Sequence, residues 1–202
     1  MSEWWTYRLS DFLMFSPRTY WRLIELYNQE VWPAQPATFA AGLLALWLAG
    51  SRRADAGRML AALLAAAWLW VGWAFHWQRY ASINWAAQYF ALAFAAQAVL
   101  LLGLGGWRAG AHTPPAGAAM QNLGWLLALT GVLLYPLVGL LAGRPWTQAE
   151  VFGIAPEPTA LATLGLLLAA DHPPARAARW MLAVIPTLSL LLGAATLWLI
   201  AG

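Results

Sequence analysis

The amino-acid sequence predicts an all-α fold, a polytopic membrane helix bundle of six transmembrane helices preceded by an amphipathic interfacial helix. Three observations predict it. Hydrophobic residues make up 62% of the 202-residue chain and charged residues only 9%, against about 25% charged in an ordinary soluble domain. Six uncharged runs follow one another along the chain, several of them near the roughly 20 residues that a helix needs to cross a bilayer. The remaining charges fall before and between those runs, where a membrane protein keeps them.

The elements follow in order. Residues 17–30 (PRTYWRLIELYNQE) place Tyr20, Leu23, Ile24 and Tyr27 at i, i+3, i+4 and i+7, with Pro17 at the first helical position and Ser16 as its cap. Trp4, Trp5, Trp21 and Trp32 add amphipathic rings suited to the headgroup zone. Residues 1–32 are therefore expected to form an interfacial amphipathic segment, either a helix on the outer leaflet or an anchor for the first span. Residues 33–202 are expected to form a single six-helix transmembrane domain. Its runs are Pro33–Gly50, Met59–Phe75, Tyr80–Trp107, Gln121–Gly143, Pro158–Ala170 and Trp180–Ala201. The fifth is short. A helix rises about 1.5 Å per residue, so this run covers roughly 20 Å of a core about 30 Å thick. Small residues in the first and third spans predict close helix packing there. Pro186 predicts a bend in the last span.

Charge and composition exclude several classes. The net charge is only +3, and all 11 basic residues are Arg, scattered between apolar runs rather than gathered on a basic face. No nucleic-acid partner is expected. The absence of Lys excludes a Schiff base, and the absence of Cys excludes disulfides, thiolate metal sites and a Cys nucleophile. Residues 1–30 carry Arg8, Asp11, Arg18, Arg22, Glu25 and Glu30, so the first span is expected to serve as an uncleaved insertion signal. Arg52, Arg53, Arg58, Arg108, Arg176 and Arg179 follow the odd-numbered spans, whereas only Arg79 and Arg144 follow spans two and four. That bias places the odd-numbered loops in the cytoplasm and both termini outside the cell (inner) membrane, on the periplasmic side.

Few side chains offer chemistry. His76 ends the second run in WAFHWQRY, Asn84 follows across a short turn, Asn28 and Glu30 precede the first span, and Glu150 and Glu157 flank FGIAP before the fifth. The expected topology places all six on the outer side, as a candidate vestibule. Glu157 is the most informative of them. It lies between Pro156 and Pro158, ahead of the short run. Either it lies below the membrane surface with His76, Arg79 or Arg144 as partner, or Pro158 starts a helix and Glu157 stands beside its dipole at the interface. No metal is expected, because a mixed His76–Glu157 site has no HxxxH or HxxE spacing behind it. No cofactor is expected either. A bis-His haem needs two intramembrane His, and His112 and His172 fall in cytoplasmic loops. Trp70, Trp73 and Trp77 share one helix face, which reads as an aromatic belt or packing. No nucleophile elbow, Walker loop or dinucleotide fingerprint appears, so an enzyme is not the leading expectation.

The segments NQEVWPAQ, HWQRYASIN, YPLVG at Tyr135–Gly139 and VFGIAPEPTALATLGLLL at Val151–Leu168 resemble a bacterial family of six-span membrane proteins of unknown function. The FGxxPxPT block is the most specific part of the resemblance. Many members of that family have Cys between the two prolines, where this chain has Glu157. The resemblance implies a polytopic membrane fold and no particular activity. Two functions are expected from the residues. One is a small-solute or ion binding or permeation protein with a polar vestibule on the outer face. The other is a non-catalytic accessory or assembly subunit of a larger membrane complex. The expected partners are the lipid bilayer and protein subunits, either foreign or further copies of the chain.

Overall fold

The computed structural model describes residues 15–105, 117–171 and 173–201. Trp4, Trp5, Arg8, Asp11, Trp107, Arg108, His112 and His172 lie outside the described residues. The fold is all-α. In chain order the helices are α1 (Pro17–Glu30), α2 (Ala34–Ala49), α3 (Ala56–Trp70), α4 (Ala87–Leu104), α5 (Ala118–Leu129), α6 (Tyr135–Leu141), α7 (Pro156–Ala169) and α8 (Arg176–Ala201).

Four helical stretches are long and apolar enough to cross a membrane: Ala56–Ser82, Ala87–Leu104, Ala118–Leu141 and Arg176–Ile200. A fifth is counted if α1 and α2, bent by 88° at their junction, are taken as one span. The α2 and α7 helices have 16 and 14 residues. Each falls short of a full crossing on its own.

Local sequence explains where the helices begin. The α1 helix starts on the Ser16 cap, whose hydroxyl accepts the Thr19 N–H at 3.2 Å, with Pro17 in the first turn. Its stripe of Tyr20, Leu23, Ile24 and Tyr27 is buried, and the covering atoms belong to the bundle. Tyr20 meets Tyr80 at a ring distance of 6.1 Å, and Tyr27 meets Phe75 at 5.5 Å. The α5 and α6 helices form one stretch through a widened π turn at Thr130–Leu134. Pro136 follows that turn and cannot donate to Val132, so the wider winding falls where the α ladder is already broken.

The short α7 is the centre of the molecule. Eleven of its 14 residues are buried, and Leu161, Leu164 and Leu168 form its one partly exposed stripe. It packs against α5 along backbone rather than side chains. A Cβ on Gly131 would stand 2.6 Å from the Ala162 nitrogen, and one on Gly124 would stand 2.6 Å from that of Ala169. A Cβ on Gly165 would collide with the Ala128 nitrogen. Small-residue contacts of this kind let two helices approach closely without a hydrophobic drive between them. Close packing was expected in the runs Pro33–Gly50 and Tyr80–Trp107; the backbone contact between α7 and the Ala118–Leu141 stretch was not foreseen. Gly42 in α2 is also tight, where a Cβ would lie 2.7 Å from Val132.

Pro186 lies inside α8, which continues on both sides of it. The missing N–H frees the carbonyl of Leu182, four residues earlier. Gln97, fully buried in α4, donates its amide to that carbonyl at 2.9 Å. A buried polar side chain thus satisfies the acceptor that the proline leaves open. Gln97→Leu should therefore cost about 1–3 kcal/mol by leaving the carbonyl unpaired. In a Pro186→Ala background, where the helix supplies its own donor, the same substitution should cost clearly less. Denaturation of the four variants of this cycle checks the coupling.

Candidate functional site

At the end of the bundle where α7 begins, α1, the π-wound continuation of α3 (Val71–Trp77), α4, α7 and α8 line a cavity of about 210 Å³. Glu157, His76 and Asn84 all line it. Glu157 is 7% exposed and His76 is 4% exposed. The Oε2 atom of Glu157 and both ring nitrogens of His76 are buried with no hydrogen-bond partner among the described residues. Buried polar atoms are nearly always partnered in folded proteins. Three orphans around one cavity are the most unusual feature of this molecule.

Each residue is there for a local reason. The α7 helix starts at Pro156, two residues earlier than the sequence reading placed it, and runs through Pro158 without a break. Both prolines fall in the first turn, where backbone N–H groups have no intrahelical acceptor to lose. Glu157 therefore stands in the first turn of a helix, as one of the two alternatives has it, and is buried inside the bundle. Facing it, Gly193 of α8 makes the room: a Cβ there would stand 2.8 Å from Glu157 Cγ and would collide with the carboxylate. His76 is wedged among rings, with centroids 4.5 Å from Phe94, 5.2 Å from Phe75 and 5.7 Å from Phe90.

The other expected site residues are placed elsewhere or are already engaged. Asn84 spends its Oδ1 on the Ala86 N–H at 3.0 Å, closing the turn that leads into α4. Asn28 is a clamp. Its amide donates to the carbonyls of Thr147 and Ala149 at 2.9 and 2.8 Å and ties α1 to the loop before α7. Glu30 is bonded to Arg79, at 2.8 Å from its Nε. Glu150, in that same loop, takes Arg144 at 3.3 Å, and this guanidinium also lies 3.7 Å over the Trp21 ring. Burial pushes the Glu150 carboxyl above its usual range, and the Arg144 charge opposes that rise. Arg79 and Arg144, two of the expected partners of Glu157, are thus committed to other carboxylates. His76 shares its cavity without a direct hydrogen bond among the described residues. No cluster among them could hold a metal ion.

The FGxxPxPT block serves as scaffold. Gly153 has φ +74°, and its N–H donates to the Thr159 hydroxyl at 2.8 Å. That hydroxyl donates in turn to the Ala155 carbonyl at 2.7 Å. One turn on, Thr163 donates to the Thr159 carbonyl at 2.7 Å and accepts Trp68 Nε1–H at 2.9 Å. Tyr27 donates its hydroxyl to Ile154 at 3.2 Å. These bonds let the non-helical Val151–Ala155 segment remain fully buried. Sequence reasoning missed the α8 wall of the cavity. Its trace was present as Ser189, Gly193 and Thr196, small or polar at i, i+4 and i+7 in an otherwise apolar helix. A shallower cleft of about 390 Å³ lies beside the α1–α2 junction, between Trp32 and Trp146.

Residues 18–201 match the family described as "Family of unknown function (DUF6064)", and the chain belongs to that family. No curated protein and no solved structure matches the chain.

The two ion pairs at this end should respond differently to loss of their cations. Arg144→Ala leaves the buried Glu150 carboxylate alone and should cost about 3–5 kcal/mol, whereas Arg79→Ala, in an exposed pair, should cost about 0–1 kcal/mol. The Arg144→Ala penalty should shrink as pH falls from neutral towards the ordinary glutamate value of about 4.3. A carboxyl raised on folding binds its proton more tightly in the folded state, so its contribution favours folding at low pH and is lost as pH rises. Denaturation midpoints at two pH values check both statements.

Proposed function

We propose that this chain is an integral membrane protein that binds, or passes, a small solute or ion through the cavity holding Glu157 and His76. The observation that carries this reading is the set of three unpartnered buried polar atoms around one cavity. Convergent polar groups in an otherwise apolar cavity are what a small-ligand site needs. Glu150, with the same side-chain chemistry nearby, is given an arginine; Glu157 is left free to meet something else.

The proposal includes a topology. The chain crosses the cell (inner) membrane six times, with α2 and α7 as short crossings, α7 being surrounded by its neighbours. Residues 1–32 form the interfacial segment, which includes α1, on the outer side. The arginine bias puts both termini, and the end of the bundle that holds the cavity, on that side. The bilayer is the first partner, and Trp70, Trp73 and Trp77, which are exposed on one face, suit its headgroup layer. The second reading, an accessory or assembly subunit, draws on the same exposed rings and on the largely uncovered α8.

Cysteine labelling of the naturally Cys-free chain tests the proposal in whole cells. Ser189→Cys, on the cavity wall, should react with a small membrane-impermeant methanethiosulfonate from outside, while Leu191→Cys, on the exposed flank of α8, should not. Ser82→Cys should label only from outside and Ser51→Cys only from the cytoplasm. An unreactive Ser189→Cys in a folded protein would remove the accessible cavity and leave the subunit reading in front. Labelling of Ser51→Cys and Ser82→Cys from one side would contradict the topology.

A further inference from the structure

We propose that the cavity takes the head of a primary alkylammonium ion, with its N–H groups on Glu157 and His76 and its tail leaving along α8 past Leu188 and Leu192. The inference deepens the solute-site reading above and rests on it.

The vacant hydrogen-bonding positions define the head. Glu157 Oε2 only accepts when ionised, and a neutral His76 offers one accepting nitrogen beside an N–H that an ammonium leaves to another acceptor. A ligand that satisfies both brings at least two N–H or O–H donors from one centre. A primary ammonium has three. A quaternary ammonium has none and would leave both acceptors orphaned at the cost that buried polar groups carry.

Charge gives the sign. Among the described residues Glu157 is the one carboxylate on the cavity wall, and the lining they form contains no arginine. The nearby guanidinium groups of Arg79 and Arg144 are bonded to Glu30 and Glu150. An ionised carboxylate repels an anion, and a cation is the occupant that holds Glu157 in its ionised form. A bare inorganic ion is also a poor occupant. Hard cations take about six to eight oxygen ligands, and these walls are mostly aromatic and aliphatic. Phe90 and Phe94 beside His76 are the surfaces on which an organic cation is held.

Shape gives the tail. Leu188 and Leu192 line the cavity, yet they remain 53% and 50% exposed, so they mark its mouth on the flank of α8. The interior has a volume of about 210 Å³. A short amine fits inside, and a longer chain leaves through an apolar doorway.

The test is calorimetric titration of the purified full chain in phosphatidylcholine nanodiscs with n-butylammonium, tetramethylammonium, n-butanol and butanoate. Butylammonium should bind one to one and at least tenfold more tightly than the other three. Lengthening the chain to n-hexylammonium should raise affinity about fourfold per methylene, with n-hexanol as the partition control. Glu157→Gln should lose tenfold or more and His76→Ala a smaller factor, and the two losses should be non-additive. In discs containing phosphatidylethanolamine, lost butylammonium binding would assign the ammonium to a lipid headgroup, and retained binding to a free amine; both keep the proposal. Equal binding of butanol, butanoate or tetramethylammonium would overturn the ammonium class while leaving a solute site. Absence of binding by all four, with Ser189→Cys still reactive, would overturn it as well. An unreactive Ser189→Cys would instead remove the underlying reading. If Glu157→Gln does not fold, the wild-type ligand series decides alone.

Discussion

The structure depends on how closely α5 and α7 approach. At Gly124, Gly131 and Gly165 the two backbones touch with no side chain between them. A helix of 14 residues is too short to hold a place in a bilayer by its own length. It keeps that place because its neighbours surround it. Once α7 is central, the segment leading into it must also be buried. Buried irregular backbone requires partners, and the Gly153–Thr159–Ala155 bonds and the Tyr27 hydroxyl supply them.

The candidate site is a consequence of that arrangement. The first turn of a central helix is already inside the protein, so the side chain after Pro156 must point into the bundle or against a neighbour. Gly193 leaves space for a carboxylate there. The same end of the molecule treats Glu30 and Glu150 differently: each holds an arginine. The contrast separates groups that hold the loop from groups that line the cavity. Paired charges at Glu150–Arg144 and the Asn28 amide clamp fix the loop before α7, and Glu157 and His76 remain with unspent hydrogen-bonding capacity. The buried amide of Gln97 has its N–H on the carbonyl freed by Pro186.

Much of the fold was legible in the sequence because it is written locally. The Ser16–Pro17 start and the Tyr20–Tyr27 stripe depend on spacing within one helix, and both stand in the structure. The interruption ahead of the short fifth run was visible from its prolines. Which run packs on which was not legible, because Gly124, Gly131 and Gly165 are ordinary small residues until two distant helices are set side by side. The sequence contains 17 glycines, and those in the first and third spans attracted the expectation of close packing. In the site, Glu157, His76 and Asn84 were found from residue type and shared side. Their company on α8 was not, since Ser189, Gly193 and Thr196 have no charge to mark them. The separation of Glu30, Glu150 and Asn28 from the cavity was also hidden, because pairing with Arg79, Arg144 and a loop backbone is a matter of distance in space.

One measurement bears on the central claim, that backbone contact between α5 and α7 holds the structure together. It compares the denaturation midpoint of purified Gly165→Ala with that of Gly103→Ala. Each adds one methyl group within a helix, and a Cβ at Gly103 meets nothing within 4 Å. The account predicts that Gly103→Ala is neutral or more stable by up to about 1 kcal/mol, from helix propensity alone. It predicts that Gly165→Ala is destabilised by at least about 1–3 kcal/mol, because the added group meets rigid backbone. A Gly165→Ala protein as stable as the parent would contradict it.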